Sequence, residues 1–426
     1  MSAFVLPLSH PQATDPERVG PKAANLALLA RAGLPTPGGF CLLADAYRHQ
    51  VAAAGLSGAL AAFSDADPPT QRRLSVEIRL GLYEQPIAPE IVEPLLATWR
   101  EGRAASPGPW AVRSSALIED RAGANFAGQF ESFLGLDSEN AFLTAVRACW
   151  AALWTTNARR YMANHDRDPA ATAIAVLIQP LVAARAAGGG LSEIAEGNML
   201  ISATWGLGSA IAQGQVVPDR VVLTRQGFVR TMQAGRKDHR DTCGHGQVAP
   251  QAVAAEDARK PCLSPGQATE LGRMLRKCEA LLQTPVEIEW ALDDTGFKLL
   301  QARPLHVQQA DAPPEIWLNH PKLAGHPAGI GWGAGRAVVV NCECELARVA
   351  PGDVLVTRVA GPALSHILSQ VAGVVAELGG STSHLASLAR ERGIPAVLGV
   401  LDATTTIPDG AQVAVDGVAG VVRWVA

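Results

Sequence analysis

The stretch Val371-Ala372-Gly373-Val374-Val375-Ala376-Glu377, then Gly379-Gly380-Ser381-Thr382-Ser383-His384, then Gly393-Ile394-Pro395, leaves its backbone few choices. The β-branched run reads as a strand, and the paired glycines take the tight geometry that a turn needs. Thr382 or Ser383 is placed to cap a helix through Arg392, which Gly393 ends and Pro395 seals. His384 then falls in the first helical turn. There, free N–H groups and the helix dipole favour an anion and keep the imidazole neutral and nucleophilic. Arg390 and Arg392 add positive charge nearby. This is a sensible place to hold a phosphoryl group, although on residues alone it also reads as a plain turn with an exposed histidine.

The rest of the chain is long enough to serve such a site. Its 426 residues predict two or three domains, and 48% hydrophobic content with 18% charged residues predicts packed cores rather than disorder. The net charge of −4 provides no basic footprint for nucleic acid or an anionic membrane. Any anion must therefore meet local positive charge. The first residues lack the basic and apolar pattern of a leader, and the run 173–178 is too short to span a bilayer. Seven scattered cysteines point to reduced thiols and a cytoplasmic protein. Cys342-Glu343-Cys344 and Cys243-Gly244-His245 have no matching second pair, so neither is read as a metal site.

Along the chain, 16–32 reads as a helix, 44–104 as mainly helical with a break at Pro68-Pro69, and 110–115 as a strand entering a polar loop. A helical pattern from 140 to 164 precedes strands at 172–182, 198–205 and 219–223. The polar segment 231–262, with Lys237, His239 and His245, reads as a solvated loop or lid. An amphipathic helix at 264–283 leads into two alternating segments, 286–292 and 297–303. From about 324 the texture becomes short β-type runs between glycines, as in a small domain of alternating strands and helices.

The two alternating segments carry chemistry. In Val286-Glu287-Ile288-Glu289-Trp290 both carboxylates share a strand face, and in Leu299-Leu300-Gln301-Ala302-Arg303 so do Gln301 and Arg303. A turn of odd length over Asp293-Asp294-Thr295-Gly296 would set Glu289 opposite Gln301 and Glu287 opposite Arg303. Two carboxylates and an amide oxygen suit Mg²⁺, and the arginine suits phosphates bridged by the metal. Glu/Arg pairing across an exposed hairpin explains the same residues.

Residues Gly379 to Gly399 resemble the phosphohistidine signature of the phosphoenolpyruvate synthase and pyruvate phosphate dikinase family, with Gly352-Asp353-Val354-Leu355-Val356 in the expected place before it. Val19-Gly20-Pro21-Lys22-Ala23-Ala24-Asn25, Val112-Arg113-Ser114-Ser115-Ala116, Glu119-Asp120, 126–132, Trp205-Gly206-Leu207-Gly208, Gln213-Gly214 and Pro218-Asp219 follow the same family in order. The resemblance implies a mixed α/β and α+β multidomain fold. An ATP-grasp nucleotide-binding domain (1–304) would precede a linker or hinge (305–322) and a small swivelling β/β/α phosphohistidine domain (323–426). It implies ATP and Mg²⁺ as cofactors, with Lys22, Arg113, Glu287, Glu289, Gln301 and Arg303 binding the nucleotide and Glu289 and Gln301 the metal. His384, assisted by Arg303, would be the catalytic carrier. Thr382 matches a regulatory phosphorylation position of some dikinases. Ser209 stands where the family usually has glutamate after Gly-Leu-Gly, and Pro21 replaces a customary glycine.

The expected activity is autophosphorylation of His384 with release of AMP, then transfer to pyruvate or another small acceptor. The family's pyruvate-binding barrel has no counterpart in these 426 residues, so a separate acceptor-binding subunit is expected. A self-contained small-molecule kinase of the rifampin phosphotransferase or glutamine kinase type is the alternative within enzymes. A catalytically silent, nucleotide-binding regulatory partner is the alternative outside them.

Overall fold

The computed structural model of this chain describes residues 4–119, 130, 132–244, 247–305, 317, 320–358 and 361–425. They form two compact units that do not follow chain order. The first comprises 1–183, 243–249 and 298–303, and the second 184–242, 250–297 and 304–426.

In the first unit, β1 (Val5–Pro7), β2 (Phe40–Leu42), β3 (Trp110–Ala116), β4 (Ser132–Leu136) and β5 (Ile174–Pro180) form one antiparallel sheet in the order β1–β2–β5–β3–β4. Around it lie α1 (Pro16–Arg31), α2 (Ala44–Ala53), α3 (Ser57–Phe63), α4 (Pro68–Glu84), α5 (Pro89–Ala105), α6 (Glu139–Ala152) and α7 (Thr156–Ala163). The Pro68-Pro69 break separates α3 from α4, because Asp67 caps α4 and both prolines occupy its first turn, where a missing N–H costs nothing. The expected helix over 140–164 is two helices, and the Thr155 hydroxyl caps the second.

The second unit carries β6 (Ala186–Leu191), β7 (Met199–Trp205), the short α8 (Ser209–Ala212), β8 (Asp219–Leu223), β9 (Val229–Gln233), β10 (His239–Gly244) and β11 (Gln247–Ala252). α9 (Pro265–Leu282), β12 (Val286–Asp293) and β13 (Gly296–Pro304) follow in the chain, residues 298–303 of β13 and the adjoining ends of β10 and β11 belonging to the first unit. The sheet order is β13–β12–β6–β7–β8–β9, and β10 and β11 pair separately. A capping box between Ser264 and Gln267 starts α9. Its Leu275 packs by Gly190 and Ile288, so α9 covers one face of this sheet. Residues of opposite parity point to the other face.

Two expectations change here. The segment 231–262 is not a structureless loop, since it contains most of β9 and the β10–β11 ribbon. The reason is Asp219. Its buried carboxylate accepts from the backbone N–H of Gly235 at 2.8 Å, that of Cys262 at 2.7 Å, and the ammonium of Lys237. Lys237 is fully buried rather than solvated. His239 is half-buried in β10, and His245 lies outside the described residues. The turn between β12 and β13 is also two residues long, not odd. The Asp293 carboxylate accepts from the Thr295 backbone N–H at 2.7 Å and from its hydroxyl at 2.6 Å, and Gly296 takes φ 115°.

The C-terminal part of the second unit has its own eight-stranded sheet. It comprises β14 (Lys322–Ala324), β15 (His326–Gly329), β16 (Trp332–Val340), β17 (Val354–Thr357), β18 (Gly373–Ala376), β19 (Ala396–Leu398), β20 (Gln412–Asp416) and β21 (Val421–Val425). Strands β16–β17–β18–β19 run parallel around a core of Val339, Val354, Val356, Val375, Val397 and Val415. α10 (His384–Arg392) links β18 to β19, and α11 (Ala403–Thr406) follows β19. Cys342 and Cys344 form a disulfide, against the reading of all seven cysteines as thiols: separated by one residue, they meet where β16 ends. Cys41, Cys149, Cys243, Cys262 and Cys278 are outside any disulfide. Among the described residues, no helix is long and apolar enough to cross a membrane.

Candidate functional site

The strand–turn–helix around His384 folds as its sequence predicts. α10 begins at His384 and ends at Arg392. The Ser383 hydroxyl accepts from the Ala386 N–H at 3.2 Å, and Gly393 closes the helix at φ 65°. His384 is half-buried in the first turn.

What the sequence does not reveal is the surface beneath this turn. Backbone pairing sets Glu289, Gly189, Ser202, Arg220 and Gln233 in one row across β12, β6, β7, β8 and β9. Glu287, Leu191, Leu200, Val222 and Thr231 form the next row on the same face. Glu287 and Glu289 therefore do share a face, and the His384 turn packs on it. A Cβ on Gly189 would lie 2.6 Å from the Thr382 Cβ, so only glycine lets the turn approach this closely. The Gly379 N–H donates to the Val216 carbonyl at 3.0 Å, and a Cβ on Gly380 would meet the Pro218 ring at 2.5 Å.

Charge fixes the same docking. The Arg390 Nη2 donates to the Glu287 Oε2 at 3.1 Å, and the Ser387 hydroxyl lies 3.5 Å from that oxygen. The Arg390 Nη1 donates to the carbonyls of Ser381 at 2.5 Å and Ala328 at 3.2 Å. Arg392 donates to the Ser365 carbonyl at 2.6 Å. Both arginines expected to lend charge to an anion on His384 are thus engaged elsewhere, Arg390 with a carboxylate and Arg392 with a carbonyl. Thr382 Oγ1, Ser202 Oγ, Thr204 Oγ1 and Arg220 Nε are buried without a hydrogen-bond partner.

In the first unit, Gly20 takes φ 76°, and a Cβ there would strike the Ser115 carbonyl at 2.3 Å. Pro21 starts the straight part of α1 beyond this kink, a position that tolerates proline. Lys22 is buried; its ammonium donates to the Ser114 carbonyl at 2.9 Å and pairs with Glu119 at 3.0 Å. Arg113 Nη1 donates to the Leu300 carbonyl at 3.0 Å, and Asn25 Nδ2 to that of Ala302 at 2.9 Å. These bonds draw Lys22, Arg113, Gln301 and Arg303 into one unit, with Gln301 and Arg303 buried. In the second unit, Ser209 opens α8 and its hydroxyl donates to Asp241. Of the sequence motifs, Asp120, 126–129 and Glu131 lie outside the described residues, as does most of the expected linker 305–322.

The family model for the pyruvate phosphate dikinase AMP/ATP-binding domain matches residues 16–319, and that for the mobile domain of PEP-utilising enzymes matches 349–420. The chain belongs to the phosphoenolpyruvate synthase and pyruvate phosphate dikinase family. It is 31% identical over 457 residues to the phosphoenolpyruvate synthase of Aeropyrum pernix, covering 95% of this chain and 56% of that protein. It is 30% identical to the Pyrococcus furiosus phosphoenolpyruvate synthase, covering 96% and 57%, and 31% identical to that of Escherichia coli, covering 94% and 55%. The chain thus spans little more than half the length of these relatives.

Proposed function

We propose that this chain is an ATP-dependent phosphotransferase whose carrier is His384. A neutral ring nitrogen of His384 attacks the β-phosphorus of ATP, the bond from that phosphorus to the bridging oxygen breaks, and AMP leaves. Transfer of the terminal phosphoryl group to water or inorganic phosphate leaves phospho-His384, which passes its phosphoryl group to pyruvate or another small acceptor on a separate acceptor-binding subunit. The observation that carries this reading is the packing of the His384 turn, through Thr382 and Arg390, on the sheet face bearing Glu287 and Glu289. A nucleophile and an acidic pair on one side of one sheet suit metal-assisted phosphoryl transfer.

In this reading residues 1–304 are the ATP-grasp part and 323–426 the swivelling carrier. The linker 305–322 absorbs the motion that one histidine needs to visit two sites. Lys22, Arg113 and Arg303 hold phosphate oxygens. Glu289 and Gln301, with Glu287 beside them, would hold Mg²⁺, which would supply positive charge against the transferring phosphates. Glu289 suits a hard cation, since Mg²⁺ commonly takes one or two carboxylates plus phosphate oxygens, whereas the Glu287 carboxylate beside it is paired with Arg390 while the turn is docked. The names of the relatives, phosphoenolpyruvate synthases, support pyruvate as the acceptor.

Incubation with Mg²⁺ and [β-³²P]ATP tests the proposal. Acid-labile label is expected on the wild type and absent from His384→Ala; a wild type that takes no label refutes it. AMP release that depends on an added partner protein and pyruvate identifies the acceptor side.

A further inference from the structure

A cavity of about 820 Å³ opens in the second unit beside the docked carrier turn. Its walls come from β7, β8 and β9 on one side and, on the other, from Pro327, Ser381, Arg390 and Val418. That volume lies in the range of small-molecule sites. His384 is not among its lining residues.

The charge balance of the wall is uneven. Arg390 is neutralised by Glu287, and Arg230 donates to Asn198 Oδ1 at 3.3 Å. Arg220 differs. Among the described residues its guanidinium has no carboxylate partner, and its Nε is buried without a hydrogen bond. Burial pulls its pKa down from the usual arginine range, and no acidic neighbour raises it again. Ser202, directly across the ladder from Arg220 but not itself a lining residue, has a buried hydroxyl that is also unpartnered. The one carboxylate on the wall, Glu193, also interacts with the Arg225 guanidinium. Partly buried cations and hydroxyls are rarely left without acceptors, because their desolvation is then uncompensated. An oxygen-rich anion supplies what this wall lacks, and a guanidinium offers it a planar fork of donors.

We propose that this cavity binds a small oxyanion, phosphate or carboxylate, with Arg220 as its anchor. The site does not use His384, although Ser381 and Arg390 in its wall belong to the docked turn on which the proposed function rests. Isothermal titration of the full chain in phosphate-free buffer, with inorganic phosphate in one arm and malonate in the other, tests it. Wild type is expected to bind at least one probe, and the arm that binds more tightly names the class. Arg220→Gln is expected to weaken that binding at least tenfold. Thr231→Phe, which crowds the exposed rim without touching the anchor charge, is expected to weaken it as well and serves if Arg220→Gln does not fold. Arg73→Gln, an exposed arginine of α4 in the first unit, is expected to bind like wild type. No binding of either probe by wild type overturns the proposal, as does unchanged affinity in folded Arg220→Gln or Thr231→Phe. Repeating the titration on His384→Ala scores the cavity even if the chain takes no label from ATP.

Discussion

Arg390, near the end of the helix that His384 begins, forms a buried ion pair with Glu287, two residues before Glu289 on a strand of another sheet; the nitrogen–oxygen distance is 3.1 Å. Each partner is only about a twentieth exposed. Such a pair contributes little against an apolar replacement but costs a great deal when half of it is removed, because the remaining charge is stranded. Arg390→Met is therefore expected to lower stability by about 3–5 kcal/mol, and Glu287→Met/Arg390→Met together to recover most of that loss. Urea unfolding of the two single variants and the double variant measures this. Additive losses would mean that the two groups do not interact.

Lys237 and Asp219 make a second buried pair with a different task. Asp219 also collects the N–H groups of Gly235 and Cys262, so one carboxylate ties both ends of a polar segment to β8. Lys237→Met leaves that carboxylate buried without its cation and is expected to cost about 3–5 kcal/mol. It should also raise hydrogen exchange across 231–262 more than in β6 or β7. A stability within 1 kcal/mol of wild type would return Lys237 to the solvated role that its polar surroundings predicted (about the scale of an exposed pair).

This error marks where sequence reading stops. The His384 turn is legible because each signal is local: glycines for the turn, Ser383 for the cap, Gly393 for the stop. Helix α9 and the parity of Glu287 and Glu289 are legible for the same reason. The burial of Lys237 is not legible because its partner lies 18 residues away, and nothing in a polar stretch shows which lysine is buried. Strand β6 escaped notice because Ala-Ala-Gly-Gly-Gly-Leu has poor strand propensity. Its glycines are there for neighbours that press on both faces, Ile288 beside Gly190 and Thr382 beside Gly189. Three consecutive glycines between apolar runs were the available signal, but close approach is not visible until the partner is placed. Arg220 likewise looks like any strand arginine until its lack of a carboxylate is seen.

His326 gives the second unit a response to acid. Gly380 and Gly399 crowd its ring, and burial, helped by the Arg220 charge, pushes its pKa from 6.5 down to about 4. Between those values the unfolded chain binds the proton and the folded chain does not, so stability rises with pH through this window and is lost as pH falls through it. His326→Gln removes the linkage. Thermal midpoints between pH 4 and 7 are expected to fall less steeply in the variant than in wild type. Parallel curves would show that His326 titrates normally in the folded protein.

Gly189 offers the sharpest test of the docked carrier. Alanine suits a strand better than glycine, so without the turn above it Gly189→Ala should be neutral or stabilising by roughly 0.4–1 kcal/mol. With the turn in place, the new Cβ would lie 2.6 Å from the Thr382 Cβ and 2.8 Å from its Cγ2. Relieving that overlap means moving the loop that carries His384, at a cost of about 1–3 kcal/mol. If the docked arrangement is the one from which His384 is loaded, labelling from [β-³²P]ATP should slow by about tenfold or more, since 1.4 kcal/mol corresponds to a factor of ten in rate. Gly189→Ala/Thr382→Gly, which removes the atoms in conflict, should restore much of the rate. The fold should be intact in both variants, as judged by a single cooperative unfolding transition and an unchanged far-ultraviolet circular dichroism spectrum. Labelling of Gly189→Ala at the wild-type rate would show that His384 is loaded from some other position of the carrier.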